Sequence, residues 1–301
     1  MTTSTPWLEL ALEATAAPEP LETILWAVGA AAVTLTDAGD HPVFEPLPGT
    51  TPHWPHTWVV GLFQTPEDDA ALLAAVKEAL GGALPRHRLN PLEERDWLQA
   101  GLADLAPMAF GRRLWVCPDT ATPPAEPSAD AVVLQLTPGL AFGTGTHPTT
   151  ALCLEWLDGL ALGGEDVLDY GCGSGILAIA AARLGARSAW AVDIDPQALW
   201  ACDHNAARNG VALCTTPPKD LGEASFGVVV ANILARPLIL LAPLLARHTA
   251  PGGRLALAGL LGRQLAEVSS AYRPWFDEET VVEREGWVRW SGRRREDAHP
   301  S

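Results

Sequence analysis

Hydrophobic and polar residues along the first ninety positions follow the periods of short strands and helices. Trp7 opens a stretch in which apolar and polar side chains alternate, as they do in a half-buried strand. Gly81 and Gly82 end a helical pattern, and a loop with five prolines separates two of the strands. The predicted elements are strands at residues 7–13, 31–35 and 58–63 and helices at residues 21–30 and 67–80. Two strand–helix–strand units of this size predict a small ferredoxin-like α/β domain over residues 1–90.

The pattern weakens between residues 91 and 130, which we interpret as a linker region. Within it, residues 93–105 have helical spacing and residues 113–117 have the composition of a strand. Residues 118–130 contain four prolines, which interrupt regular structure. A break of this kind between two patterned regions indicates a domain boundary.

A different rhythm, strand then helix, runs from about residue 132 to the end. Its central strands are almost wholly apolar, which is typical of strands buried on both faces of a parallel sheet. The predicted strands are residues 167–170, 188–192, 211–215, 226–231, 254–258, 279–283 and 287–290, with helices between the central ones, including residues 176–184 and 197–209. Residues 131–301 are therefore predicted to form a doubly wound, mainly parallel, seven-stranded α/β domain of Rossmann-like type.

The charge balance limits the classes of partner. The 301 residues include 36 acids and 20 bases, a formal net charge of −16, so the chain lacks the basic surplus of nucleic-acid-binding proteins. We expect no direct nucleic-acid binding, and an acidic enzyme suits a basic partner. The sequence has no apolar run of membrane-spanning length, no signal-peptide pattern and no Cys-x-x-Cys pair among its five cysteines. We therefore expect reduced thiols, no membrane association and a cytoplasmic location.

The strongest chemical signal is the run Val-Leu-Asp-Tyr-Gly-Cys-Gly-Ser-Gly at residues 167–175. It joins an apolar strand to an apolar helix, so Gly171 and Gly173 would let a ligand approach the free N–H groups of the helix N-terminus. Asp169 precedes the loop by two residues. In a dinucleotide-binding fingerprint the third glycine would come one residue later, so NAD is the less favoured cofactor.

Asp193 ends the next predicted strand, 18 residues after Gly175. An acid about 20 residues beyond such a loop accepts hydrogen bonds from ribose hydroxyls, and the ribose of S-adenosylmethionine offers the same hydroxyls. The alternative role, a helix N-cap, suits Asp195 better because Pro196 follows it directly. Asp193 is therefore predicted to bind the ribose of the cofactor.

Two further runs point to a family. Pro-Gly-Leu-Ala-Phe-Gly-Thr-Gly-Thr-His-Pro-Thr-Thr at residues 138–150 precedes the first strand of the sheet, and Asn-Ile-Leu-Ala at residues 232–235 follows the fourth. With Gly-Arg-Arg-Leu-Trp-Val at residues 111–116, they resemble the methyltransferases of ribosomal large-subunit protein eleven, the PrmA family, and the resemblance covers nearly the whole chain. Residues 96–102 depart from it, since they keep one Trp of a more aromatic pattern.

The resemblance implies a class I methyltransferase domain that binds S-adenosylmethionine, fused to an N-terminal domain that recognises the substrate. It also implies methylation of lysine side chains and of the N-terminal amine of ribosomal large-subunit protein eleven. The residues expected at the cofactor are Thr150, Gly171, Asp193 and Asn232, with Asp169 and Gly173 of the glycine run and a covering loop that includes Phe142, Gly143 and Thr144. The sequence identifies no general base.

Three other functions fit the same residues: methylation of lysines in a different protein, methylation of a small molecule, and cofactor binding without catalysis. No metal is expected, because His53 and His56 stand without a third ligand. The basic run at residues 293–295 is interpreted as a solvated tail.

Overall fold

A computed structural model describes residues 7–39, 54, 56–64, 69–92, 106–118, 130–136 and 147–297. The chain divides into two compact units, Met1–Trp97 and Leu98–Ser301. The helix predicted at residues 93–105 and the covering loop at residues 142–145 lie outside the described residues. Within the described ranges, no helix is long and apolar enough to cross a membrane, and no three His, Cys, Asp or Glu side chains come together as a metal site.

The first unit is a four-stranded antiparallel sheet that packs against two helices. Its elements are β1 (Trp7–Ala14), α1 (Glu19–Ala27), β2 (Ala32–Asp37), β3 (Thr57–Gln64), α2 (Asp69–Leu80) and β4 (His87–Leu92), with the strands in the order β2-β3-β1-β4. Alternate residues of β1, Leu8, Leu10 and Leu12, are buried in one cluster with Leu25 of α1 and Val76 of α2. The elements predicted for this unit are confirmed, with their ends moved by a few residues.

A small three-stranded sheet opens the second unit. It consists of β5 (Met108–Phe110), β6 (Leu114–Pro118) and β7 (Val132–Leu136), with β5 antiparallel and β7 parallel to β6. Its buried side chains share a core with the helix that follows, α3 (Pro148–Asp158). Nε of Arg113 donates to Oδ1 of Asp158 over 3.0 Å, and the N–H of Arg112 donates to Oδ2 of Asp158 over 2.6 Å. Part of the region interpreted as a linker is therefore packed into the second unit.

The main sheet has seven strands in the order β10-β9-β8-β11-β12-β14-β13. Its strands are β8 (Asp166–Tyr170), β9 (Ser188–Val192), β10 (Cys214–Thr216), β11 (Phe226–Asn232), β12 (Thr249–Leu261), β13 (Phe276–Arg284) and β14 (Trp287–Arg294). Its helices are α4 (Ile176–Arg183), α5 (Pro196–Arg208), α6 (Ala235–Leu240), α7 (Ala242–His248) and α8 (Leu265–Tyr272), with short 3-10 turns at Pro218–Asp220 and Gly262–Gln264.

The first five strands of this sheet are parallel, and β14 runs antiparallel to both of its neighbours. Val228 and Val230 of β11 belong to one buried cluster, and Val229 and Ala231 belong to another. Because successive residues of a strand point to opposite faces, both faces of the sheet are covered. The predicted doubly wound, mainly parallel sheet is confirmed.

The strand next to α5 starts later than predicted, at Cys214 instead of residue 211. Gly210 follows α5 with a φ of 63°, its N–H bonds to the carbonyl of Ala207 over 3.1 Å, and the N–H of Val211 bonds to that of Ala206 over 3.1 Å. These two bonds form a Schellman motif, which ends a helix. The apolar side chain of Val211 therefore packs against the core from the helix end and not from a strand.

The interpretation of residues 293–295 as a solvated tail is wrong. Arg294 lies in β14, is 7% exposed and donates to the carbonyl oxygen of Thr249. Nε of Arg295 donates to Oδ1 of Asp277 over 2.8 Å. Arg293 and Arg294 belong to a strand that lies between two others and Arg295 follows it directly, which the charge pattern alone did not indicate.

Candidate active site

The loop between β8 and α4 requires glycine at several positions. Gly171, Gly173 and Gly175 have φ angles of 82°, 51° and 80°, in the left-handed region that favours glycine. A Cβ atom on Gly171 would stand 2.4 Å from Cγ2 of Ile233, and one on Gly175 would stand 2.4 Å from Sγ of Cys202. The loop therefore passes too close to its neighbours for a side chain at either position.

Asp193 ties this loop to the end of the next strand. Its Oδ2 accepts the N–H of Gly173 over 3.0 Å, and its Oδ1 accepts the N–H of Asp195 over 3.0 Å. Since a carboxylate oxygen accepts about two hydrogen bonds, each oxygen keeps capacity for another donor. Asp195 itself accepts the N–H of Gln197 over 2.9 Å, which confirms it as the predicted cap of α5.

Asp169 lies beneath the loop, in β8, and is 1% exposed. Its Oδ2 accepts the N–H of Ala178 over 3.1 Å, and its buried Oδ1 has no hydrogen-bond partner among the described residues. Burial raises the pKa of Asp169 to about 7, the hydrogen bond from Ala178 opposes the rise, and the charge of Asp193 adds to it. Asp169 therefore joins β8 to the first turn of α4 from inside the protein.

Asn232 ends β11, Thr150 lies in the first turn of α3, and their side chains meet. Nδ2 of Asn232 donates to Oγ1 of Thr150 over 3.3 Å. Thr150 is buried, while Asn232 is partly exposed. The contact orients the Asn232 amide at the carboxyl edge of the sheet, where ligands bind in doubly wound folds.

One cavity of about 580 Å³ lies at this edge. Its lining includes five of the residues predicted to bind the cofactor, namely Thr150, Gly171, Gly173, Asp193 and Asn232. Most of the other lining side chains are apolar, among them Ile176, Leu177, Ile194, Ile233, Leu234 and Trp287. Asp169 is not part of the lining, and the predicted contributions of Phe142, Gly143 and Thr144 lie outside the described residues.

Two rings in the cavity wall were not among the predicted site residues. The rings of His147 and Trp287 pack edge to face, with centroids 4.7 Å apart. Nδ1 of His147 accepts the N–H of Thr149 over 3.3 Å and so caps α3, and burial lowers the pKa of His147 while the charge of Glu285 acts to raise it. Pro148 at the first position of α3 is a sequence signal of the helix start. No sequence signal indicates that the hairpin carrying Trp287 returns to the cavity.

An ion pair holds that hairpin against α3. Nη2 of Arg284, the last residue of β13, lies 3.0 Å from both carboxylate oxygens of Glu155 in α3. Both side chains are partly exposed, so the pair contributes at most about 1 kcal/mol to stability. Its main consequence is geometric, because it fixes the turn that carries Trp287 beside the cavity.

The residues present suit S-adenosylmethionine. The carboxylate of Asp193 has acceptor capacity for ribose hydroxyls, and Ile194 beside it offers an apolar surface to a flat base. Asn232 and Thr150 offer polar groups to an amino acid end. Gly171 and Gly173 line the cavity without side chains, so a ligand can approach their backbone closely.

The strand order, the single reversed strand near one edge and the glycine loop after β8 define a class I methyltransferase that depends on S-adenosylmethionine. Comparison with known proteins narrows this class. The chain belongs to the family described as ribosomal protein L11 methyltransferase (PrmA), whose profile matches residues 6–295.

Individual relatives agree over nearly full length. The chain is 53% identical over 298 residues to a ribosomal protein L11 methyltransferase of Pseudomonas aeruginosa, which covers 97% of this chain and 100% of the relative. It is 52% identical over 296 residues to that of Azotobacter vinelandii, which covers 96% of this chain and 100% of the relative. A solved ribosomal protein L11 methylase from Lactobacillus delbrueckii subsp. bulgaricus superposes with a TM-score of 0.58 at 32% identity, covering 64% of this chain and 100% of its own.

Proposed function

We propose that the protein transfers methyl groups from S-adenosylmethionine to lysine side-chain and N-terminal amines of ribosomal protein L11. The observation that carries the proposal is the meeting of the glycine loop, Asp193 and the Asn232–Thr150 pair at one cavity, in a chain of this family. The net charge of −16 supports a basic protein as the partner, since opposite charges speed encounter.

The chain's contribution to the chemistry is mainly positioning. When bound, the cofactor supplies a sulfonium methyl group whose transfer needs neither a metal nor a covalent enzyme intermediate. Asp193 accepts hydrogen bonds from the ribose hydroxyls. Gly171 and Gly173 let the cofactor approach the backbone closely. Thr150 and Asn232 hold the amino acid end of the cofactor or orient the acceptor amine. Asp169 acts from beneath by fixing the loop. From the sequence, Phe142, Gly143 and Thr144 form a loop that covers the methionine end.

The cavity wall also favours the neutral form of the acceptor amine. A free lysine has a pKa of about 10.4 and arrives protonated, whereas methyl transfer needs a neutral amine in line with the sulfonium. Ile233, Leu234 and Trp287 make the wall apolar, and an apolar wall disfavours the charged form and lowers the amine pKa. Alignment of the neutral amine then supplies up to roughly 7–11 kcal/mol of the barrier reduction.

In this proposal the first unit is a ferredoxin-like domain that grips the protein substrate. Its order of elements, strand–helix–strand–strand–helix–strand, and its strand order β2-β3-β1-β4 support that fold. The sequence boundaries are residues 1–90 for recognition, 91–130 for the linker and 131–301 for catalysis, and the pairing of β6 with β7 favours an earlier start for the catalytic part. We place the enzyme in the cytoplasm, acting on L11 without direct contact to nucleic acid.

Labelled S-adenosylmethionine, incubated with the protein and total ribosomal protein, tests the proposal. We expect label on L11 above all other ribosomal proteins, at amine nitrogens. Label on a different protein would favour the alternative of another lysine substrate. Cofactor binding without any labelled protein would favour a small-molecule methyltransferase or a non-catalytic binder.

A further inference from the structure

The two edges of the seven-stranded sheet differ in length and exposure. One edge strand, β10, has three residues, and the other, β13, has nine. Val281 and Val282 of β13 are each 38% exposed, and within the described part of the chain no strand pairs on the outer side of β13. A long exposed edge with apolar side chains is an aggregation hazard unless charged side chains, a bulge or a partner protects it.

The outward backbone groups of β13 follow from its turn. Glu285 and Gly286 connect β13 to β14 with positive φ angles of 53° and 78°, a two-residue turn of type I′. Such a turn makes Arg284 and Trp287 a hydrogen-bonded pair, and pairs then alternate along the hairpin. Val281, opposite Trp290, and Glu283, opposite Val288, therefore direct their N–H and C=O groups away from β14.

The same strand leads to the cavity. Its last residue, Arg284, pairs with Trp287, which lines the cavity, and the ion pair to Glu155 fixes that end. A segment laid along β13 toward its turn would therefore arrive at the place where the acceptor amine must enter.

The charges along β13 indicate what kind of segment would bind along this strand. At the far end, Asp277 and Glu279 already pair with Arg295 and Arg254. Near the turn, Glu283 and Glu285 are exposed, and no described residue forms an ion pair or hydrogen bond with Glu283. Glu283 and Glu285 thus place negative charge at the end nearest the cavity, where it favours a chain that carries lysines.

We propose that β13 is a docking edge for an extended, lysine-bearing segment of the substrate protein, which adds to the sheet as a further strand and so directs its amine into the cavity. This inference rests on the proposed function. Main-chain hydrogen bonds to Val281 and Glu283 give affinity that is independent of the exact sequence of the segment. One edge can therefore present several amines of one target.

Hydrogen exchange of individual amides tests the docking edge in the full-length protein. The measurement compares the protein with S-adenosylhomocysteine alone and with added L11. We expect exchange at Val281 and Glu283 to slow when L11 is present, while Val282, whose N–H already faces β14, stays unchanged. Unchanged exchange at Val281 and Glu283 under saturating L11 would overturn the inference.

Substitution gives a second test. Proline is tolerated on an edge strand where its missing N–H faces solvent, so Val281→Pro removes one docking hydrogen bond, and Val281→Thr is the matched control that keeps it. We expect Val281→Pro to raise KM for L11 about tenfold, with cofactor affinity unchanged, and Val281→Thr to behave as the parent. A second comparison uses a double variant that combines Glu283→Gln and Glu285→Gln. Its control is Glu223→Gln, which replaces an exposed acid before β11. We expect KM for L11 to depend less on salt concentration in the double variant and to keep the parental salt dependence in the control.

The outcomes separate the two proposals. If the parent enzyme methylates L11 and Val281→Pro does so with parental KM, the docking edge is wrong and the proposed function stands. If the parent enzyme binds cofactor and does not methylate L11, the proposed function itself is wrong.

Discussion

At the scale of single residues, Asp193 and Asp169 show how two acids at neighbouring strands of the same sheet have different environments. Asp193 lines the cavity and accepts backbone N–H groups from Gly173 and Asp195, so its charge is satisfied at the surface of the site. Asp169 is enclosed beneath the loop with one oxygen lacking a partner among the described residues. The sequence predicted that both acids lie near the cofactor. Only the packing of α4 on β8 shows that Asp193 lines the cavity while Asp169 supports the loop from beneath.

Replacing Asp193 tests the ribose assignment. Asp193→Ala removes the acceptor for the hydroxyls and for the N–H of Gly173, so we expect S-adenosylmethionine to bind more weakly by about 1–3 kcal/mol. Asp193→Asn is the matched control, since it keeps one acceptor oxygen, and we expect a smaller loss. Calorimetry on the folded variants measures both. Equal affinity of Asp193→Ala and the parent would show that the hydroxyls have another partner.

The pKa of Asp169 gives a stability prediction. The folded value of about 7 lies above the unfolded value of about 3.9. Between these values the folded protein binds the proton and the unfolded chain releases it, so this residue makes the free energy of unfolding fall as pH rises, with no further change above the folded pKa. Asp169→Asn cannot ionise and retains an oxygen for the N–H of Ala178.

Urea unfolding of both proteins at about pH 5 and about pH 8 isolates the contribution of Asp169. We expect the parent to lose more stability than Asp169→Asn over this interval. Equal losses in the two proteins would mean that the Asp169 carboxyl keeps an ordinary pKa in the folded state.

At the scale of elements, local sequence patterns predicted the features that depend only on residues close in the sequence. The glycine run predicted a turn between a strand and a helix, which the structure shows with its glycines in the left-handed region, and Pro196 predicted the start of α5. The approach of the β13–β14 hairpin to α3 brings together Glu155 and Arg284, which are 129 residues apart, and no periodicity in the sequence encodes it. For the same reason His147 and Trp287 were found only in the folded protein, and Arg294 was misread as exposed.

The covering loop at residues 142–145 is an element whose role remains a prediction. Two glycines around a small polar residue suit a segment that moves or approaches a ligand closely. We expect hydrogen exchange in residues 142–145 to slow on addition of S-adenosylmethionine, with strands of the first unit as the internal control. Identical exchange with and without cofactor would argue against a cover.

At the scale of the whole molecule, the division of labour between the two units can be tested by truncation. The sequence suggested a cut near residue 131, but β7 pairs with β6, and Asp158 in α3 accepts hydrogen bonds from Arg112 and Arg113. A cut at residue 131 would leave the Asp158 carboxylate buried without these partners, which destabilises the fold. A chain that starts at Leu98 keeps them.

We expect the chain from Leu98 to bind S-adenosylmethionine as the full-length protein does, because every described lining residue of the cavity lies within it. We expect it to methylate intact L11 far more slowly, because it lacks the unit that we propose recognises the substrate. Calorimetry measures the first and a rate assay the second. A truncated enzyme that modifies L11 at the full-length rate would show that the first unit is not the recognition element.

The most direct test of the central claim is the intact mass of purified L11 after incubation with the full-length protein and S-adenosylmethionine. We expect the mass to rise by whole methyl groups, fragmentation to place them on lysine side chains and the N-terminal amine, and Asp193→Ala to slow the rise at limiting cofactor. L11 of unchanged mass, under conditions where calorimetry shows the enzyme saturated with cofactor, would contradict it.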